Sequence, residues 1–232
     1  MKYKNIVEAR FIERPNRFVA KVEILNPSNS DPGGESVIET VHVKNTGRCK
    51  ELLIPRCKVW LEEPGTPNRK TKYDLIAVDK KNLGVVNIDS QAPNKVVKEY
   101  LELSSESLNI KNIKPEFAFG ESRLDFYFEK SGKKTLMEVK GCTLEIDGIG
   151  YFPDAPTERG VKHINELINA TKEGYDAIIA FVIQMNGIRE VRPNIKTHPE
   201  FGEALERAKK KGVEVWFMPC VVTPSKIYIS ND

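Results

Sequence analysis

Two alternating runs, Ser122–Lys130 and Lys133–Lys140, flank the dipeptide Ser131-Gly132, and this pattern constrains the fold more than any other part of the chain. Strand side chains point alternately to opposite faces. Leu124, Phe126 and Phe128 therefore share one face, and Asp125 and Tyr127 the other. In the second run Met137 and Val139 share a face, with Glu138 and Lys140 opposite them. Ser-Gly between such runs predicts a two-residue hairpin loop. Lys130 then faces Lys133, Tyr127 faces Leu136, Asp125 faces Glu138 and Arg123 faces Lys140. A three-residue loop would slip the register by one and dissolve this arrangement.

Opposed carboxylates lie roughly 5 Å apart at Cβ and repel, unless a cation sits between them. An Asp followed by Glu-x-Lys on the next strand resembles the signature of PD-(D/E)xK nucleases. In such a site Asp125 and Glu138 hold one or two hard divalent cations, Mg²⁺ or Mn²⁺, through oxygen ligands. The cation polarises a phosphate and acidifies an attacking water, and Lys140 orients that water and offsets transition-state charge. The triplet alone is not specific, because Asp79-Lys80-Lys81 repeats it, and charged groups on an open hairpin face are commonly only solvated. The paired Asp125 and the order of flanking elements lift the metal-site reading above that one.

Upstream, Ile6–Ile12 and Phe18–Leu25 read as a hairpin around Glu13-Arg14-Pro15-Asn16, and Asn26–Glu35 as a loop. Val37–Val43, Lys58–Glu62 and Lys72–Val78 are further strands. Arg48–Leu53 is expected to form one or two helical turns. Five short strands with a small helix after the third predict an OB-type barrel. Its loops carry Arg14, Arg17, Lys44, Arg48, Lys50, Arg69, Lys70 and Lys72, with Trp60 and Tyr73 interleaved. Arg48, Arg69, Lys70 and Lys72 are the candidate nucleic-acid contacts, whereas Trp60 reads as core.

Val85–Ile88 is a short strand, placing a boundary near 84 to 90 and predicting an OB-type unit over 1–84 and an α/β unit over 85–232. Pro93 opens a helix reaching about Leu103, residues 104–113 read as a polar connection, and Glu116–Phe119 as a strand. Beyond the central hairpin, Asp147-Gly148 predicts a second hairpin and Thr157 an N-cap. The next helix buries Val161, Ile164 and Leu167. Asp176–Met185 reads as a strand buried on both faces, and a last helix and two strands follow. Arg159, Lys162 and His163 lie at the start of that first helix, where anions are attracted. Glu99 reads as a surface partner of Lys95, Gln184 as a residue near the site or merely at a strand end, and His42 and His198 as structural or exposed.

Several long blocks carry a broader resemblance: Asn45–Leu53 (NTGRCKELL), Arg69–Asp74 (RKTKYD), Asn87–Asn94 (NIDSQAPN) and Phe152–Gly160 (FPDAPTERG). Together they resemble the sugar fermentation stimulation protein A family over nearly the whole chain. The resemblance implies an N-terminal OB-type domain joined to a PD-(D/E)xK nuclease-like domain, and DNA binding without sequence specificity. It also implies a regulatory role in maltose metabolism, so a non-catalytic DNA-binding regulator is the alternative to a nuclease. Asp125, Glu138 and Lys140 match the nuclease triad.

Charge and cysteine content bound the setting. A net charge of +3 on 232 residues requires any nucleic-acid surface to be local. No apolar run spans a membrane, no signal peptide is read at Met1–Asn5, and the four cysteines lack Cys-x-x-Cys spacing. These features predict a cytoplasmic protein without a zinc site.

Overall fold

The structure, a computed structural model, describes residues 1–25, 36–45 and 47–230. The loop expected at Asn26–Glu35 lies outside the described residues, as does Thr46 of the turn before Arg48.

The first unit contains β1 (Ile6–Asn16), β2 (Val19–Leu25), β3 (Ser36–Val43), β4 (Lys58–Glu62) and β5 (Asp74–Lys80). β1 pairs antiparallel with both β2 and β4, β2 pairs with β3, and β4 with β5. β3 then meets β5 in parallel through His42↔Asp74 and Val43↔Leu75, which closes the sheet into an OB-type barrel. Residues two apart face inward, as a half-buried strand requires: Ala9 and Phe11, Ala20 and Val22, Val41 and Val43, Val59 and Leu61. β5 is buried on both faces, because Leu75 and Val78 fill the barrel while Ile76 and Ala77 pack against Val96 and Val97 of the second unit.

The helical turn expected at Arg48–Leu53 stays at its minimum, and two further expectations are corrected. Arg48–Leu53 makes a single turn, closed by Leu53 N–H on the Cys49 carbonyl at 2.9 Å. Positive φ at Cys49 (46°) and Arg56 (72°) and the proline at 55 stop it from becoming a helix. Tyr73, read as an aromatic interleaved with the barrel's cations, is buried like Trp60. The segment expected to open the second unit runs as β6 (Gly84–Asn87), pairs antiparallel with β5 and so adds a sixth strand to the first sheet.

The second unit continues with α1 (Ala92–Leu103), β7 (Ile110–Phe119), β8 (Ser122–Lys130), β9 (Lys133–Cys142), β10 (Leu144–Ile146), β11 (Ile149–Phe152) and α2 (Glu158–Lys172). It ends with β12 (Asp176–Ile183), β13 (Val191–Pro193), α3 (Pro199–Lys210), β14 (Glu214–Thr223) and β15 (Lys226–Ile229). The main sheet has the order β15-β14-β12-β9-β8-β7, parallel at β9–β12 and β12–β14 and antiparallel elsewhere. β12 is its buried centre. Ile179, Phe181 and Ile183 pack with Ile164 and Leu167 of α2 and Phe201 of α3, and Ile178, Ala180 and Val182 pack with α1. A helix layer thus covers each face. The polar connection read at 104–113 gives way at Ile110 to the edge strand β7, bulged between Lys111 and Lys114. Lys80 of β5 donates to the carbonyl of Glu145 at 2.7 Å and to its carboxylate, clipping β10 to the barrel. No helix among the described residues is long and apolar enough to cross a membrane.

Candidate metal centre

The central hairpin folds in the register its turn dictates. Ser131 (φ 52°) and Gly132 (φ 81°) are both left-handed, as a type I′ turn needs, and Lys130↔Lys133, Tyr127↔Leu136 and Phe126↔Met137 are paired. The ladder stops one position short of the expected Asp125–Glu138 pair. There the Asp125 side chain replaces the strand, its Oδ2 accepting Val139 N–H at 2.7 Å. Strict alternation also fails at this point. Leu124 joins the buried cluster of Ile164 and Leu167, while Phe126 and Phe128 belong to the cluster on the α1 face. Arg123 does not face Lys140; it aligns with Ala118 of β7 and pairs with Glu116. β8 therefore peels away from β9 at Asp125, and the ladder opens beside the two carboxylates.

Neighbouring elements fix both carboxylates. Asn94, in the first turn of α1, donates to Asp125 Oδ1 at 2.7 Å. Burial and the nearby Glu138 charge hold the Asp125 carboxyl above its ordinary pKa. Glu138 is only 2% exposed. Burial pushes its pKa up, but hydrogen bonds from His163 and Lys140 and the Lys140 charge outweigh that and hold it below its ordinary value. Both of these partners meet Oε1.

His163 comes from α2, whose start is capped by Thr157 Oγ1 accepting Gly160 N–H at 3.1 Å. Arg159, one turn earlier, donates Nε–H to His163 Nε2 at 3.3 Å. Arginine only donates, so Nε2 carries the lone pair and Nδ1–H points to Glu138.

The second carboxylate oxygen, Glu138 Oε2, is buried and without a hydrogen-bond partner. A buried anionic oxygen left unpaired beside another carboxylate fits a hard cation. Among the described residues no three His, Cys, Asp or Glu side chains converge into a metal cage. Two carboxylates with water completing the shell are the donor set Mg²⁺-like ions accept, and both nitrogens of His163 are already engaged. A cleft of about 360 Å³ adjoins this centre, lined by Asn94, Val139, Gly141, Asp154 and Thr157 and, from the barrel, by Asn45 and Gly47.

The basic candidates divide. Arg48 and Lys50 are exposed on the loop between β3 and β4. Arg69 pairs with Asp74, which also takes His42 at 3.0 Å, and Lys72 pairs with Glu63 at 3.6 Å. Lys70 lies with these two around a separate cleft against β3. Arg159 is held by His163, and Lys162 pairs with Glu121 at 3.8 Å. Glu99 bonds the Met1 amino group, not Lys95, and takes no part in the centre. His198 caps the approach to α2 by accepting Thr157 N–H at 3.4 Å.

Gln184 turns out to be a joint between the two units. Its amide donates to Asn87 O (3.1 Å), Asn87 Oδ1 (2.9 Å) and Asp89 O (3.1 Å). Asp89 is fully buried on Lys44 at 2.8 Å. The sequence offers Asn94 only within the Asn87–Asn94 block and His163 only as a phosphate contact at a helix start. Both are single residues whose partners lie far along the chain, so spacing carries no signal for them.

Comparison with known proteins agrees with this architecture. Residues 12–88 match the model described as the SfsA N-terminal OB domain, and residues 91–226 match the sugar fermentation stimulation protein RE domain. A sugar fermentation stimulation protein homolog of Desulfitobacterium hafniense (strain DSM 10664 / DCB-2) is 52% identical over 227 residues, covering 98% of this chain and 94% of the relative. A homolog of the same description from Clostridium beijerinckii is 50% identical over 231 residues, covering 100% and 97%. The solved SfsA of Pyrococcus furiosus, in complex with Ca²⁺, is 28% identical and superposes with a TM-score of 0.82 over 99% of this chain and 95% of that one. The chain belongs to the sugar fermentation stimulation protein family.

Proposed function

We propose that this protein binds DNA and hydrolyses its phosphodiester backbone with Mg²⁺ or Mn²⁺ held by Asp125 and Glu138. The observation that carries the reading is the buried, unpartnered Glu138 Oε2 beside a second carboxylate. The Ca²⁺ complex of the Pyrococcus furiosus relative supports it, since Ca²⁺ seeks the same oxygen donors. When bound, the cation would polarise a phosphate and lower the pKa of a water.

The protein groups do the rest. Asn94 and Val139 N–H hold the Asp125 carboxylate in place. His163 and Lys140 both occupy Glu138 Oε1 and so leave Oε2 free. Lys140, with ammonium protons to spare after that bond, orients the attacking water and offsets charge on the phosphate. Cations on the barrel loops, Arg48 and Lys70 among them, grip the backbone, which carries no sequence information, so binding is indifferent to sequence. Free buried thiols at Cys49, Cys142 and Cys220 suit the reducing cytoplasm.

The test is cleavage of labelled single- and double-stranded DNA in Mn²⁺, Mg²⁺ or EDTA by the wild type and Glu138→Ala. Metal-dependent cleavage that vanishes in the variant is the expected result. Binding that falls steeply with salt, with no cleavage in any metal, would refute the enzyme and leave a DNA-binding regulator of sugar metabolism.

A further inference from the structure

One aromatic ring on the barrel is in the wrong place for core. Phe18 ends the β1–β2 turn and is 48% exposed, whereas the inward-facing Ala20 and Val22 of β2 are fully buried. Its backbone is fixed at both ends. Asn16 Oδ1 accepts Phe18 N–H at 2.8 Å, and Val43 N–H donates to its carbonyl at 2.8 Å. The Arg17 guanidinium lies 4.7 Å from the ring centroid. The ring is therefore a preset, half-exposed platform with the Arg17 guanidinium stacked over it.

The loops around it are tied by Arg14. Its guanidinium donates to the carbonyls of Gly47 (2.8 Å), Arg48 (2.9 Å), Arg17 (2.7 Å) and Asn45 (2.6 Å). This binds the β1–β2 turn to the β3–β4 loop and leaves a cleft of about 400 Å³ with Arg17, Arg48 and Lys50 on its walls. Among the described residues none of these three cations is paired with a carboxylate, unlike Arg69, Lys72 and Lys162. Gly47 lines both this cleft and the one beside Asn94 and Val139, so it stands in the wall the two share.

We infer that the cleft between the β1–β2 turn and the β3–β4 loop binds an unpaired DNA strand, one nucleobase stacking on Phe18 and its phosphates meeting Arg17, Arg48 and Lys50. The inference rests on the DNA reading above and adds its substrate class. Cations alone accept any duplex, but an aromatic face accepts a base only where it is unstacked from its neighbours.

The experiment uses the full chain in EDTA, where no cleavage competes. Anisotropy of a labelled oligothymidylate and of a hairpin-closed duplex is measured for the wild type, Phe18→Ala and Phe18→Trp. Phe18→Ala should weaken oligothymidylate binding about five- to a hundredfold and leave the duplex within about twofold. Phe18→Trp should retain binding, and its added indole should be quenched by the oligothymidylate. Equal single-strand binding by Phe18→Ala and the wild type would overturn the site while leaving DNA binding intact, as would equal losses on both ligands or an unquenched indole. Wild-type protein that binds neither ligand would overturn both readings. Unchanged thermal midpoints exclude misfolding as the cause, which half exposure of Phe18 favours.

Discussion

Asp125 does two jobs that substitution can separate. It is a candidate cation ligand, and its Oδ2 is the acceptor for Val139 N–H where the β8–β9 ladder ends. Asp125→Ala removes that acceptor and strands a donor in a strand residue that is only 6% exposed. A stranded buried donor costs about 1–3 kcal/mol, and relief of the repulsion with Glu138 returns part of it. For a chain of this size, each kcal/mol moves the melting midpoint by about 2–4 °C, so Asp125→Ala should melt about 2–10 °C lower in EDTA.

Asp125→Asn keeps a carbonyl oxygen for Val139 and sheds the charge that burial and Glu138 disfavour. Its midpoint in EDTA should stay within about 2 °C of the wild type. Adding Mn²⁺ at a hundred times its dissociation constant stabilises the wild type by about 2.7 kcal/mol, and both variants should lose that increment. Differential scanning fluorimetry in EDTA and in a Mn²⁺ series reads all of these shifts. If Asn falls as far as Ala in EDTA, the capping argument is wrong. If Mn²⁺ raises the midpoint of Asp125→Asn as it raises the wild type, Asp125 is not a ligand.

Two further outcomes follow from the same geometry. His163→Ala frees Glu138 Oε1 of one of its two partners, so Mn²⁺ affinity followed by calorimetry should fall about 10- to 100-fold. His163→Gln, whose amide can still donate, should recover part of that loss. The thiols of Cys49, Cys142 and Cys220 are pushed up to about 12 by burial, and that of Cys57 to about 11, so native protein at pH 8 should not react with Ellman's reagent until it is unfolded. Since the folded values lie above the unfolded 9.0, the stability they contribute is whole below pH 9 and is lost above it. The urea midpoint should therefore drop between pH 8 and pH 10.5, and a flat profile would count against buried thiols.

The central hairpin was legible because two local rules agree there: alternation sets the faces, and the Ser-Gly turn sets the register. The barrel was legible for the same reason, strand by strand. What sequence hid depends on neighbours. β7 was half lost because an edge strand keeps polar groups such as Lys111 and Lys114 on its exposed side. Leu124 defied alternation because β8 bends where Asp125 leaves the ladder. Spacing did not show that three of the candidate cations, Arg69, Lys72 and Lys162, lie beside the carboxylates of Asp74, Glu63 and Glu121. Arg14 is consumed by carbonyls. Phe18 went unnoticed because an apolar residue in a strand reads as core until the fold shows which way it faces.

The Gln184 amide, with its three bonds to Asn87 and Asp89, makes the connection between barrel and sheet a weld, not a hinge. Asn87 N–H returns a fourth bond to the Gln184 carbonyl at 2.9 Å. With β6 paired to β5 and bridged to Met185, the barrel has no freedom to slide along the sheet. In the proposed nuclease, the offset between the barrel's grip and the Asp125–Glu138 centre would then be a built-in ruler. A strand held by its end would be cut at one spacing, leaving a discrete product ladder in place of a smear. Gln184→Ala would loosen the ruler and blur the ladder before it abolished either grip or cut.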